Sequence, residues 1–335
     1  MKLTNQQIIQ AVSGTSYTEE KDGKIIFHRF YPQLENYYRQ VAPGFNDKLT
    51  ATAGVTIRFT TDSEGLKLGL EAPYGSSPTY FCNDIMVNGE YLDSLRNFTD
   101  EDMTGDYTKK QFPLGFFEKT FNLGKGEKEV TVILSAMMSA HLVLLEIDDG
   151  ASFIPKEERN KILVIGDSIT QGYDSRFPRN RYGSRLADKL NLTERNLAIG
   201  GDIYRSEAAK YIKEDGVSLI TVAYGSNDWS GQKWETAKEN CEKYYAYLTD
   251  TFPDVPVYVI SPIWRSDWDR ITDYGDFRKV ERELESICDK YENLTFVRGF
   301  DFVPHDTSLY GDGTLHPNDE GFSYYSDALI KAVIK

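Results

Sequence analysis

Over residues 1–150, hydrophobic and polar positions alternate with the period of two that is typical of β-strands. Val130, Val132 and Leu134, for example, share one face of a predicted strand. The strands that this pattern predicts are 24–31, 49–60, 65–72, 79–87, 112–122, 127–135 and 140–148. Several short strands joined by turns indicate an all-β sandwich of antiparallel strands, of the jelly-roll type.

The pattern changes after a polar, proline-containing segment at 151–159, which we interpret as a linker. Over residues 160–335, short apolar runs alternate with stretches that repeat at the period of a helix. The predicted strands are 161–166, 194–199, 218–224, 256–261 and 294–298, and the predicted helices include 234–252, 280–291 and 320–334. Parallel strands with helical crossovers indicate a flavodoxin-like, three-layer α/β/α domain. We therefore expect two domains.

The composition narrows the range of partners and compartments. The 335 residues carry a formal net charge of −14, which argues against nucleic acid and membrane surfaces, because both require a basic protein face. No stretch approaches a membrane span, and the amino-terminal segment lacks the apolar core of a signal peptide. Cys82, Cys241 and Cys288 fit neither a disulfide framework nor a metal motif, so we expect buried free thiols. These features predict a cytoplasmic protein and leave open whether it is a homo-oligomer.

The segment 161–170, KILVIGDSIT, places a serine at a defined point of the second domain. Its apolar run is typical of a buried parallel strand, and Ser168 follows directly after it. Ligand sites of open α/β sheets lie beyond the carboxyl ends of the strands. Ser168 is therefore a candidate nucleophile, although an N-cap of the next helix explains the residue equally well.

Three further segments follow predicted strands or precede the last helix. They are Asn196–Asp202, which contains two consecutive glycines, Tyr224–Asp228, with the sequence YGSND, and Asp312–Asp319, with the sequence DGTLHPND. Each taken alone is also good turn or helix-start material.

Together, these four segments resemble the four sequence blocks of the SGNH/GDSL hydrolase superfamily, in the same order. The order of the two domains is also similar to that of two-domain carbohydrate acetylesterases. The resemblance implies that Ser168 is the nucleophile and His316 the general base. It further implies that the backbone N–H groups of Ser168 and Gly201 and the side-chain amide of Asn227 form the oxyanion hole.

The third member of the catalytic triad departs from the family pattern. The usual aspartate lies three residues before the histidine, where this chain has Gly313, whereas Asp312 lies four residues before it. We favour Asp312 over a Ser–His dyad oriented by a backbone carbonyl. The spacing of Asp306 and Asp319 suits this role less well.

The implied chemistry requires no cofactor, because an imidazole can activate a serine hydroxyl for attack on an ester. We also expect no metal, since His305 shares no helical or strand spacing with His316 and Asp312 that would preorganise a site.

Three tryptophans lie near the expected site and give a clue to the substrate. Trp229, Trp264 and Trp268 follow predicted strand ends and could stack on a sugar ring, or they could instead cover the core beneath long loops. We interpret the protein as a serine esterase that removes small acyl groups, particularly acetyl, from an oligosaccharide or another small ester. The alternatives are a lysophospholipase or acyl-thioesterase on the same fold, and an inactive carbohydrate-binding protein.

Overall fold

The computed structural model describes residues 1–75 and 78–334. Among the described residues, the amino-terminal part contains ten strands: β1 (Val12–Ser13), β2 (Tyr17–Lys21), β3 (Lys24–His28), β4 (Thr56–Thr61), β5 (Gly65–Ala72), β6 (Cys82–Val87), β7 (Glu90–Arg96), β8 (Gly115–Asn122), β9 (Lys128–Ile133) and β10 (His141–Ile147). They form two antiparallel sheets, ordered β1-β4-β9-β6-β7 and β2-β3-β10-β5-β8. The predicted antiparallel sandwich is therefore confirmed.

Alternating burial explains both the successes and the failures of strand prediction in this part. Val130 and Val132 of β9 are fully buried, as their alternation predicts. By contrast, β7 was missed because its first three residues are all exposed and give no alternating signal. The expected strand at 49–60 begins only at Thr56, since a helix occupies residues up to 49 and Gly54 has a φ of +80°.

The carboxyl-terminal part contains one parallel sheet of five strands, β12 (Lys161–Gly166), β13 (Thr193–Asn196), β14 (Val217–Ala223), β15 (Val257–Ile260) and β16 (Leu294–Val297). A two-residue strand, β11 (Ile154–Pro155), lies in the predicted linker and pairs with β4. The sheet order is β13-β12-β14-β15-β16. This is the 2-1-3-4-5 order of flavodoxin-like folds, so the predicted fold class is confirmed.

Ten α-helices occur among the described residues. They are α1 (Asn5–Ile9), α2 (Pro32–Val41), α3 (Asn46–Leu49), α4 (Ser168–Gln171), α5 (Tyr182–Lys189), α6 (Ser206–Ala209), α7 (Ser226–Gly231), α8 (Trp234–Thr251), α9 (Arg278–Cys288) and α10 (Asp319–Val333). Cys241 on α8 and Cys288 on α9 are buried free thiols, as the helical stripes predict, and so is Cys82. Within the described part of the chain, every helix is too short or too polar to span a lipid bilayer.

Residues 29–49, which we call the strap, leave the sandwich and pack against the carboxyl-terminal part. Phe30, Leu34, Tyr38 and Leu49 belong to the same buried cluster as the parallel sheet. This helical segment is not predicted from the sequence, because α2 has only three buried residues. We keep 1–150, 151–159 and 160–335 as proposed bounds of sandwich, linker and second domain, with the strap crossing between the domains.

Candidate active site

The turn after β12 presents Ser168 at the edge of the parallel sheet. Asp167, and not Ser168, is the N-cap of α4, because its Oδ1 accepts the backbone N–H of Ile169 at 3.1 Å. The hydroxyl of Ser168 is therefore not used for capping, which answers the alternative that the sequence left open. The turn also requires Gly166, since a Cβ there would lie 2.6 Å from the carbonyl oxygen of Ala223.

Ser168, His316 and Asp312 form one hydrogen-bonded chain. Ser168 Oγ lies 2.8 Å from His316 Nε2, and His316 Nδ1 lies 2.9 Å from Asp312 Oδ2. Ser168 is 6% exposed, and the His316 side chain is 18% exposed. This is the geometry in which an imidazole takes a proton from a serine hydroxyl while a carboxylate fixes the ring.

The loop around Gly313 explains how an aspartate four residues before the histidine can reach it. Gly313 has a φ of +66°, and Asp312 Oδ1 accepts the backbone N–H groups of Thr314, Leu315 and His316 at 2.8–3.1 Å. Burial by itself raises the pKa of Asp312, but the hydrogen bond and charge of His316, helped by these N–H groups, hold it well below its usual range. Asp312 is thus an ionised partner for the imidazole.

A second carboxyl group, that of Asp174, lies close to the ring of His316. Its Oδ2 is 3.8 Å from His316 Nδ1, and the residue is 2% exposed. Burial raises the pKa of Asp174 to about 7, against the opposing effect of His316. Burial lowers the pKa of His316, but the hydrogen bond to Asp312 and the charges of Asp174 and Asp167 outweigh it and raise the pKa above the usual value. No motif or spacing in the sequence points to Asp174. The residue lies in a turn with a φ of +65°, and this turn brings its carboxyl group to His316.

The three expected oxyanion donors belong to segments that Asn227 links together. Asn227 Nδ2 donates to the carbonyl oxygen of Asp202 at 2.9 Å and lies 3.4 Å from Asp167 Oδ2. Asp202 follows Gly201, and Asp167 precedes Ser168. The amide of Asn227 thus contacts one residue next to each of the other two expected donors.

Two of the three candidate tryptophans are buried, which favours the alternative that they cover the core. Trp229 is fully buried, and its indole N–H donates to the carbonyl oxygen of Gly275 at 3.0 Å, so it is a core residue. Trp264 is 8% exposed and lies stacked on His305, with ring centroids 5.3 Å apart. Trp229 thus packs inside the core, and one face of Trp264 is covered by His305.

Trp268 is the tryptophan that remains accessible, with 37% of its surface exposed. Its loop contacts the catalytic-histidine loop, because the backbone N–H of Ser266 donates to the carbonyl oxygen of Thr314 at 2.9 Å. Trp268 therefore stays a candidate for substrate contact. Arg265 in the same loop is held by Asp267, at 2.5 Å, and by Ser226 Oγ, at 3.1 Å.

The same histidine also belongs to the one group of side chains, among the described residues, that could share a metal ion. The ligand atoms of Asp174, Asp312 and His316 lie within 4.8 Å of one another. However, both nitrogens of His316 already face Ser168 and Asp312 at hydrogen-bond distance. An ion placed there would break the Ser–His–Asp chain. His305, which the sequence raised as a metal candidate, packs on Trp264 instead.

The residues of this candidate site lie in a part of the chain that matches a known protein family. Residues 164–323 match the model of the GDSL-like lipase/acylhydrolase family. A comparison with curated protein sequences finds no match.

Solved structures with the same fold cover most of the chain. A salicylyl-acyltransferase, SsfX3, from a tetracycline biosynthetic pathway superposes with a TM-score of 0.79 at 18% identity, over 96% of this chain and 94% of that one. A protein described as a GDSL-like lipase from Bacteroides ovatus has a TM-score of 0.76 at 20% identity, over 99% and 96%. A family two carbohydrate esterase from Clostridium thermocellum, in complex with cellohexaose, has a TM-score of 0.61 at 15% identity, over 84% and 92%.

The family match and the fold define the class of this protein. It is an ester hydrolase in which a β-sandwich precedes a flavodoxin-like α/β/α domain along the chain. More specifically, residues 164–323 are a GDSL-like lipase/acylhydrolase domain, and the family resemblance seen in the sequence is confirmed.

Proposed function

We propose that this ester hydrolase is a serine esterase that removes small acyl groups, acetyl in particular, from carbohydrate. One observation carries the proposal: the continuous chain from Ser168 Oγ through His316 to Asp312 Oδ2, with contacts of 2.8 and 2.9 Å. A serine hydroxyl is a weak nucleophile unless an adjacent base accepts its proton, and this chain supplies the base and its orienting group.

In the first half-reaction, Ser168 Oγ attacks the ester carbonyl carbon while His316 Nε2 takes the hydroxyl proton. Asp312 stabilises the imidazolium that forms, because it is ionised and bonded to Nδ1. The carbonyl oxygen becomes an oxyanion, which the N–H groups of Ser168 and Gly201 and the amide of Asn227 stabilise.

The intermediate then collapses to an acyl-enzyme. The bond to the sugar oxygen breaks, and His316 gives its proton to that oxygen as the sugar leaves. In the second half-reaction, His316 takes a proton from water, and the resulting hydroxide attacks the acyl carbon through a second oxyanion. Ser168 Oγ leaves with the proton, and the free acid departs.

The carbohydrate part of the proposal is supported by Trp268 and by the structural neighbours. Trp268 offers an exposed aromatic face on a loop bonded to the His316 loop. Aromatic faces of this kind can pack on the apolar face of a sugar ring. A neighbour of the same fold is a carbohydrate esterase that was solved with an oligosaccharide.

The first test is hydrolysis of p-nitrophenyl acetate by the wild type, Ser168→Ala and a matched control, Ser184→Ala on α5. We expect Ser168→Ala to lose activity by a factor on the order of 10⁶, as when a nucleophilic serine is removed elsewhere. Thermal unfolding should be unchanged in both variants. Turnover retained in Ser168→Ala would refute the nucleophile assignment.

The second test separates the candidate substrates. Release of acetate from acetylated oligosaccharides, followed by mass spectrometry, is the expected result. A strong preference for octanoyl over acetyl esters would instead favour a lysophospholipase or acyl-thioesterase. Adding sugar acceptors to the assay shows whether acyl groups go to water or to a hydroxyl, which the acyltransferase neighbour makes worth measuring. Glycan binding without any turnover would indicate an inactive binding protein.

A further inference from the structure

We propose that Lys48, which lies in the strap, is a positioning residue of the oxyanion hole: it fixes and polarises the peptide group whose N–H is the Gly201 donor. The proposal rests on the proposed esterase mechanism, because it concerns a donor that acts only on the oxyanion. It gives the amino-terminal part of the chain a defined role in turnover.

The argument begins with one peptide group. Lys48 Nζ donates to the carbonyl oxygen of Gly200 at 2.6 Å. That carbonyl and the N–H of Gly201 belong to the same planar, trans peptide, in which the two groups point in opposite directions. Because the ammonium group of Lys48 binds the carbonyl oxygen of Gly200, the Gly201 N–H points away from Lys48. Gly201 is exposed, and no residue in the described ranges accepts this N–H.

A second contact holds the other side of Gly200. Its N–H donates to Gln171 Oε1 at 2.9 Å, and Gln171 Nε2 donates to the sandwich carbonyl of Ala136 at 3.1 Å. Gln171 is the last residue of α4, the helix that begins at Ser168. Both polar groups of Gly200 are thus fixed relative to the nucleophile.

This fixation is needed because the segment contains two consecutive glycines. Gly201 has a φ of +86°, a conformation that glycine adopts at little cost but does not hold by itself. The position of its N–H must be set before the oxyanion forms, since preorganised donors are the effective ones. Lys48 provides this constraint from outside the loop.

Lys48 also changes the strength of the donor. The positive charge of Lys48, bonded to the carbonyl oxygen, polarises the peptide group. This strengthens the hydrogen bond that the N–H of the same peptide can donate. The ammonium group is partly buried near the rings of Phe45, at 5.0 Å, and Tyr173, at 6.0 Å. Its field is therefore screened less than that of a free surface lysine.

The rest of the strap supports this placement. Tyr38 donates to Asp202 Oδ2 at 2.7 Å, and Arg29 donates to the carbonyl oxygens of Asn196 and Ala198 at 2.8 and 3.2 Å. The strap thus binds the glycine segment along its length. Tyr31 binds elsewhere on the second domain, at Glu214 Oε2, with a distance of 2.8 Å.

The test compares Lys48→Met, Lys48→Arg and Tyr31→Phe with the wild type on p-nitrophenyl acetate. Deleting an oxyanion donor outright costs about 10²–10³ in kcat, so loosening and weakening one should lower kcat about tenfold in Lys48→Met, with KM nearly unchanged. Lys48→Arg should recover most of the loss, because it keeps a charged donor. Tyr31→Phe should resemble the wild type, since it removes a strap contact to Glu214 and none to the glycine segment.

A second measurement isolates the oxyanion. A small alkylboronic acid, which forms a tetrahedral adduct on serine, should bind about tenfold more weakly to Lys48→Met, whereas inhibition by acetate should not change. Unchanged kcat and boronate affinity in Lys48→Met would overturn the proposal and leave the esterase assignment intact. Equal losses in Lys48→Met and Tyr31→Phe, with parallel falls in Tm, would overturn it too, because they indicate a purely structural strap. A wild type without esterase activity would refute the proposed function itself.

Discussion

Replacing Asp312 by asparagine tests the catalytic chain at the residue where the sequence departs from its family. Three backbone N–H groups, from Thr314, Leu315 and His316, converge on Asp312 Oδ1. In Asp312→Asn, the amide oxygen must take that position, because an NH₂ group cannot accept these bonds. The NH₂ group then faces His316 Nδ1, which has to accept a hydrogen bond. The neutral ring consequently carries its proton on Nε2, towards Ser168, and cannot take the serine proton.

The expected magnitude is large, and it is separate from folding. The same exchange in a Ser–His–Asp protease lowers kcat about 10⁴-fold, which is about 5.5 kcal/mol. We expect a loss of similar size here, measured with p-nitrophenyl acetate, and a Tm close to that of the wild type because the loop keeps its three caps. Asp312→Ala should lose both activity and Tm. Activity within tenfold of the wild type in Asp312→Asn would refute this reasoning and favour a Ser–His dyad or an orienting role for Asp174.

Two further predictions concern side chains that only the structure distinguished. In Asp174→Asn, the pKa of His316 should fall, because a carboxyl group 3.8 Å from Nδ1 helps to raise it. Since His316 acts as a base only when neutral, the acidic limb of kcat/KM should move to lower pH, whereas Asp306→Asn, a turn cap, should leave it in place. If the acidic limb of kcat/KM stayed in place in Asp174→Asn, Asp174 would not be a group that raises the pKa of His316. Trp229→Ala should lower stability by about 3–5 kcal/mol in denaturant unfolding, whereas Trp268→Ala should raise KM for an acetylated oligosaccharide but not for p-nitrophenyl acetate. The opposite pattern would make Trp229 the ligand residue.

Local sequence patterns predicted most of the fold that positions the site. All five strands of the parallel sheet lie within three residues of their predicted bounds, and the three predicted helices are present as α8, α9 and α10. These elements are recognisable in the sequence because the apolar residues of each one are spaced so that they fall on its buried face. The strap shows no such pattern, because α2 buries a narrow face against a domain that is distant in sequence.

For the site, too, local sequence patterns identified some residues and did not show how others are oriented. The motif blocks brought Ser168, His316 and Asn227 to attention, and the choice of Asp312 over a dyad agrees with its 2.9 Å contact to His316. Trp229 was misjudged because its position after a strand end does not reveal which way the ring points, and the ring points into the core.

The sequence by itself determined the strands of the parallel sheet, three of its helices and the serine at a strand end, because each depends on residues that are close together in the chain. The tertiary structure alone decided what surrounds that serine. Ser168 and His316 are 148 residues apart, and Lys48 lies 152 residues before the carbonyl that it binds. Contacts over such separations depend on sheet order and on loop conformations such as the positive φ of Gly313, which no local period encodes. For that reason Asp174 and Lys48 became visible only in the folded chain.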